Sequence, residues 1–292
     1  MKHHEQTIEA ADGTALHVER WEPEGTPRFA VVFVHGGAEH VGRYARMAEG
    51  FGAHGGLCLG LDHRGQGKSG GPKGDVHAFE DYARDLRTVI ETVAQTRPAG
   101  ERPDAMPWLL FGHSMGGLIS LIYLLDHAKA IPLAGAVISS PLIEAWVSTF
   151  KRWSAEVGSR LVPWLTQPTG IPPETISRDP EEVKRYANDP RRVGVLSGRW
   201  YGAMKRAVAR VRAEGGSIDV PALWYVGTGD QIVNYEPTVA LFKSFPEAEQ
   251  RGQSLHCFTD YYHELHNEPE ALRQPVIEMV EQWVLERVEE SC

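Results

Sequence analysis

The chain has 292 residues, 42% apolar and 24% charged, a composition that excludes wholesale disorder and suits one α/β domain carrying an insert. Its 30 glycines and 19 prolines follow no fixed period, so collagen-like and low-complexity arrays are excluded as well. A net charge of −9, with no Lys/Arg cluster longer than two, argues against a nucleic-acid partner. The cysteines, Cys58, Cys257 and Cys292, are too few and too scattered for a disulfide framework or a Cys-rich zinc site. Their odd number suits a reducing compartment. The N-terminus has no apolar run of the kind a signal peptide needs, so a cytoplasmic location is expected.

In chain order, two short alternating runs flank Asp12-Gly13, which predicts a hairpin. Residues 29–34 form a continuous apolar run ending in glycines, the pattern of a strand buried on both faces. Similar runs recur at 57–62, 108–112, 133–139 and 222–227, and the run from Leu255 to Tyr262 ends a last strand. Between them, Glu80–Ala94 repeats its apolar residues near the helical period. Leu118–Leu125 reads as a buried helix and residues 276–289 as an amphipathic one. Strands alternating with helices predict βαβ units and a mostly parallel sheet flanked by helices. The 18 residues from Trp108 to Leu125 carry no charge and reach the length of a membrane span. Their centre, GHSMGG, suits a turn between two buried elements instead.

The alternation stops at residues 142–215, where helical patterns follow one another between prolines. This insert is expected to form a helical cap between two core parts, 1–141 and 216–292. Trp146, Phe150, Trp153, Val157, Leu161 and Trp164 step by 4, 3, 4, 4 and 3, one face of a helix. That stripe either packs on the core or lines an apolar substrate entrance, with Trp146 and Phe150 as candidate substrate contacts.

The sharpest motif is Gly112-His113-Ser114-Met115-Gly116, the G-x-S-x-G nucleophile elbow, placed between a predicted strand and a predicted helix. A serine needs a base, and the base needs an orienting acid. In chain order the acid follows the nucleophile and the base comes last. Asp230, just past the run 222–227, fits the acid, since catalytic groups in open α/β sheets gather at the carboxyl ends of strands. For the base there are His263 and His266, of which His263 lies nearer the strand end. The backbone N–H groups of Met115 and Gly37 are the expected oxyanion donors.

Three other motifs fail. Gly65-Gln66-Gly67-Lys68-Ser69-Gly70 matches a dinucleotide fingerprint, but Gly71-Pro72-Lys73-Gly74 forbids the helix it must open. Gly67-Lys68-Ser69 lacks the earlier glycine of a P-loop, since Asp62 stands there. His263-Glu264-Leu265-His266 is one residue short of a zinc-protease helix. Neither a cofactor nor a metal is expected.

Together, HGGAEHVGRY, DHRGQGKSGGPKG, GHSMGG, GTGDQIV, YYHELHNEP and, in the insert, SRDPEEVKRYANDP resemble the monoacylglycerol lipase and lysophospholipase-like branch of the α/β-hydrolase superfamily, over residues 6–288. The resemblance implies a triad of Ser114, Asp230 and His263, oxyanion donors at Gly37 and Met115, and a cap roofing a pocket for one acyl chain. It also implies that Glu39 meets the glycerol side of the substrate. The implied activity is cleavage of small lipid esters, monoacylglycerol first. A carboxylesterase or lysophospholipase with the same triad, or a non-catalytic binding module, are the alternatives. The Trp-bearing cap is expected to touch a membrane surface transiently. Two positions depart from the pattern: Gly37 stands where alanine is commoner, and Asp260 where a glycine often precedes the histidine.

Overall fold

The computed structural model describes residues 1–96, 106–131, 133–146, 156 and 159–291. Among these residues ten strands run in chain order: β1 Lys2–Glu9, β2 Ala15–Glu22, β3 Phe29–Val34, β4 Gly56–Leu61, β5 Trp108–His113, β6 Leu133–Ser139, β7 Thr166–Pro168, β8 Val195–Ser197, β9 Ala222–Gly227 and β10 Gln253–Phe258. Eight form one sheet in the order β1-β2-β4-β3-β5-β6-β9-β10, and β7 pairs with β8 apart from it. From β4 to β10 every pairing is parallel, while β1 and β2 join antiparallel. The predicted hairpin, the parallel sheet and the α/β class are all present.

The central strands β3, β4, β5 and β9 are buried on both sides because they are apolar at nearly every position. In β3, Ala30, Val32 and Val34 face one helical layer and Phe29, Val31 and Phe33 the other. The first layer contains α2 (Phe79–Gln95) and α3 (Met115–His127). The second contains α1 (Ala45–Ala53) and the last helix, Glu270–Glu290, whose Val276, Val280, Val284 and Val288 form one buried stripe four residues apart. The stretch proposed as a possible span is split at Ser114 into β5 and α3. Among the described residues no helix is long and apolar enough to cross a membrane.

Between β6 and β9 lie α4 (Pro180–Ala187), the β7–β8 pair and α5 (Gly198–Glu214); α6 (Tyr235–Ser244) follows β9, and Glu270–Glu290 is α7. The expected helical stripe is corrected here. Trp146 sits in extended chain beside a β-bridge from Ala145 to Val233, and Pro163 ends the helical turn before Trp164. Nor do these side chains pack on the core: Trp146 is 55%, Leu161 72% and Trp164 67% exposed. Phe150, Trp153 and Val157 lie outside the described residues.

The last strand also ends earlier than its apolar run. It stops at Phe258, and Asp260, in the left-handed region at φ 63°, turns the chain toward His263. Asp260 N–H donates to Thr228 Oγ1 at 2.9 Å. Asp is one of the few residues that tolerate this conformation, which accounts for a position where glycine is common.

Candidate active site

The carboxyl ends of β3, β5, β9 and β10 converge on one cavity of about 1080 Å³. Ser114 and His263 both line it, together with Gly36, Gly37, Met115 and a mainly apolar wall that includes Leu142, Ile143 and Met204. Ser114 joins β5 to α3 with φ 55° and ψ −118°. This strained turn is forced by crowding. A Cβ at Gly112 would meet Ser120 Oγ at 2.3 Å and Gly116 O at 2.6 Å, and one at Gly116 would meet Val34 O at 1.8 Å. Glycine is therefore required on both sides of the serine. Ala38, Ser114, Ser140 and Asp260, four of the five described non-glycine residues at positive φ, all lie beyond strand ends around the cavity. Such positions cost on the order of 1–3 kcal/mol each and cluster where geometry is specified.

His263 Nδ1 lies 2.6 Å from Asp230 Oδ2. The other oxygen of Asp230 accepts from the N–H groups of Ile232 (2.8 Å) and Val233 (2.9 Å), so the carboxylate is fixed and Nδ1 carries the proton. That leaves Nε2 free to accept. Burial by itself lowers the His263 imidazole below its ordinary value. The charge and hydrogen bond of Asp230, helped by Glu264 and Glu39, outweigh burial and raise it. His266 takes no part in this pair. It stacks on Tyr44 at 5.7 Å, and burial holds its imidazole down at about 4.

Gly37 packs beside Met115, where a Cβ would meet Met115 Sδ at 3.9 Å and Cβ at 4.0 Å. That is ordinary contact, so the departure from alanine at this position leaves the loop in register. The loop itself is braced from behind. Glu39 Oε1 accepts from Gly36 N–H at 2.5 Å and Tyr44 Oη at 3.0 Å, and Glu39 Oε2 from Arg43 at 2.9 Å. Glu39 lines the cavity, yet its oxygens are committed to this bracing. Burial raises the Glu39 carboxyl above its ordinary range, and the neighbouring Glu264 carboxylate adds to the shift. Arg43 also binds Glu264 bidentately, both contacts at 2.7 Å. At Glu264 this guanidinium outweighs burial and keeps the carboxyl below its ordinary range.

Arg43, Glu264 and Glu268 were not found in the sequence. Glu268, fully buried, accepts from the N–H groups of Tyr262 and Arg178, each at 2.8 Å, and so shapes the loop that carries His263. The only sequence trace of the Arg43 bridge is its spacing of four from Glu39. Trp146 does reach the site, donating from Nε1 to Asp230 O at 3.1 Å.

A mostly parallel sheet with serine on the elbow after its central strand, aspartate after β9 and histidine after β10 defines an α/β-hydrolase. The family model described as "Serine aminopeptidase, S33" matches residues 25–270. Over 96% of both chains, the protein is 30% identical to a monoacylglycerol lipase of Mycolicibacterium smegmatis. To the human monoglyceride lipase it is also 30% identical, over 95% of this chain and 89% of the relative. The crystal structure of a monoacylglycerol lipase from Paleococcus ferrophilus superposes with a TM-score of 0.78 at 29% identity, covering 92% of this chain and 99% of that one. The chain belongs to this family, in the monoacylglycerol lipase-like branch of the α/β-hydrolases, and is a carboxylic ester hydrolase.

Proposed function

We propose that the enzyme cleaves monoacylglycerols to fatty acid and glycerol through an acyl-enzyme on Ser114. The observation that carries this reading is the 2.6 Å bond from His263 to a fully satisfied Asp230, beside a strained serine in a large, mainly apolar cavity. Ser114 Oγ attacks the ester carbonyl as His263 Nε2 takes its proton, then returns that proton to the leaving glycerol oxygen. Asp230 holds the productive tautomer and stabilises the imidazolium. The N–H groups of Gly37 and Met115 receive the oxyanion. Water, deprotonated by the same histidine, releases the acid. The names of the relatives support glycerol as the alcohol, and the cavity wall supports an acyl chain of some length.

Residues 142–215 serve in this reading as the cap over the cavity, between core parts 1–141 and 216–292. Exposed Trp146, Leu161, Trp164 and Leu165 on that segment suit a transient membrane-surface contact, where such esters reside.

The test is hydrolysis of glyceryl esters against p-nitrophenyl and lysophospholipid esters of matched acyl length. Preference for the glyceryl esters is expected, whereas equal or faster turnover of short artificial esters would make it a general carboxylesterase. Ser114→Ala should retain its melting temperature and lose on the order of 10⁶ in kcat; a variant with near-full activity would remove Ser114 from the mechanism.

A further inference from the structure

The hairpin at the edge of the sheet takes no part in that chemistry, yet it gathers four metal-ligating side chains. Its register places Glu5 opposite Glu19, Thr7 opposite His17 and His3 opposite Trp21. Opposed residues share a face, so strand alternation brings His3, Glu5, His17 and Glu19 to the same side. His3 Nε2 lies 2.9 Å from Glu19 Oε2. His17 Nε2 lies 3.5 Å from Glu19 Oε1 and 3.6 Å from Glu5 Oε2. One ligand atom from each of His3, Glu5 and Glu19 falls within 4.8 Å of the others.

A pair of opposed carboxylates alone would be an ordinary acidic cluster. His17 makes the difference. It is only 8% exposed, and its Nε2 has no hydrogen-bond partner although it faces both carboxylates. A buried ring nitrogen left unpaired costs free energy unless something occupies the space before it. The ring of His3 is held by stacking on Trp21, with centroids 5.1 Å apart and planes at 15°. In a tetrahedral zinc site with bonds of about 2.0–2.2 Å, neighbouring ligand atoms are about 3.4 Å apart. The spacing of His17 to one oxygen of each carboxylate is close to this, and His17 stands just outside the set of His3, Glu5 and Glu19, so a small side-chain adjustment would bring all four onto one ion.

We propose that His3, Glu5, His17 and Glu19 bind zinc or a similar divalent transition-metal ion. Two imidazoles exclude the all-oxygen preference of calcium and magnesium, and two carboxylates neutralise the ion. Lys68, 2.6 Å from Glu5, and Arg191, 3.1 Å from Glu19, hold the carboxylates when no ion is present. Each carboxylate has a second oxygen for its cation once an ion enters. The pairing of His263 and His266, which spacing alone had singled out as a metal hint, is used for other purposes.

The full chain, stripped with a chelator, is titrated with zinc chloride by calorimetry and with cobalt chloride by absorption. One ion per chain and the visible bands of four-coordinate cobalt are expected. Loss of a ligand should cost at least as much as loss of an outer-shell partner, about 10–100-fold in affinity. This applies to His17→Gln and separately to Glu5→Gln, whose exposed side chain keeps the test open if His17→Gln does not fold. Esterase activity of the stripped Glu5→Gln protein should equal that of the stripped native chain. Absence of stoichiometric binding overturns the proposal, as does unchanged affinity in Glu5→Gln, which would place the ion elsewhere.

Discussion

In the parallel core, residue identity is set by how close backbones come. Gly116 lies so near Val34 and Gly112 so near Ser120 that no side chain fits at either place. The segment between β6 and β9 is attached by the buried apolar face of α5, Trp200, Ala203, Ala207, Val208 and Val211, and by polar pairs reaching back to the core. His40 shares a 2.6 Å hydrogen bond with Asp189, while Arg46 pairs with Glu182 at 2.8 Å, Arg199 with Asp75 at 2.6 Å and Arg210 with Asp126 at 2.6 Å. Partly exposed pairs of this kind are worth roughly 0–1 kcal/mol each. The strand ends beneath the cavity are thus fixed by sterics, whereas the segment between β6 and β9 combines the buried apolar face of α5 with polar pairs that can be lost one at a time.

The comparison can be broken most severely at the base. Asp230→Asn should cost on the order of 10⁴ in kcat while the fold survives, because the amide favours the wrong tautomer. The pH profile gives the sign. His263 must be neutral to accept a proton, and its pKa is raised above 6.5, so kcat/KM should climb with pH through a value above 6.5 in the native enzyme. Removing the Asp230 charge should move that limb to lower pH. A limb that stays put would mean another group titrates.

Next comes the steric claim. Gly116→Ala should unfold the protein or lower its stability by several kcal/mol, roughly 3 or more, since the clash is with backbone. Gly37→Ala, in the same site, should change stability by less than about 0.5 kcal/mol and preserve turnover, because its Cβ meets only ordinary contacts. Similar melting temperatures for the two variants would dissolve the distinction drawn above.

Arg43→Met tests the buried bridge between the two loops. It leaves Glu39 and Glu264 without their cation, a loss of about 3–5 kcal/mol in chemical denaturation. The smallest effect belongs to an exposed tryptophan between β6 and β9. Trp164→Ser should leave stability within about 0.5 kcal/mol, the usual range for an exposed site, and reduce flotation with lipid vesicles. Undiminished flotation would detach Trp164 from any membrane contact.

What was legible in the sequence follows the same division. The elbow, Asp230 and the choice of His263 could be read because close approach and strand order leave local marks: small residues around Ser114, and an acid just past an apolar run. The brace behind the loops could not, since Arg43 and Glu264 are 221 residues apart and either could pass for a surface charge. Between β6 and β9, periodicity misled at both ends of the stripe. The regular steps from Trp146 to Trp164 describe one helix face only if both ends are helical, and the bridge from Ala145 to Val233 and Pro163 take Trp146 and Trp164 out of any helix. A long-range pairing and a ring without an N–H outweighed a repeat that local pattern alone supports.

The crowd of imidazoles near the cavity carries a last consequence. Burial pushes His35 and His266 to about 4, His63 and His113 well below 6.5, and His40 downward, while His263 alone among them moves up. His35, His63, His113 and His266 therefore stay neutral across the neutral range, and His263 is the ring of this group whose value is raised. In a proton-resolved spectrum, one imidazole of this group should drift between weakly acidic and weakly alkaline solution while its neighbours stay silent. The steepness of the rate profile should then be that of one proton.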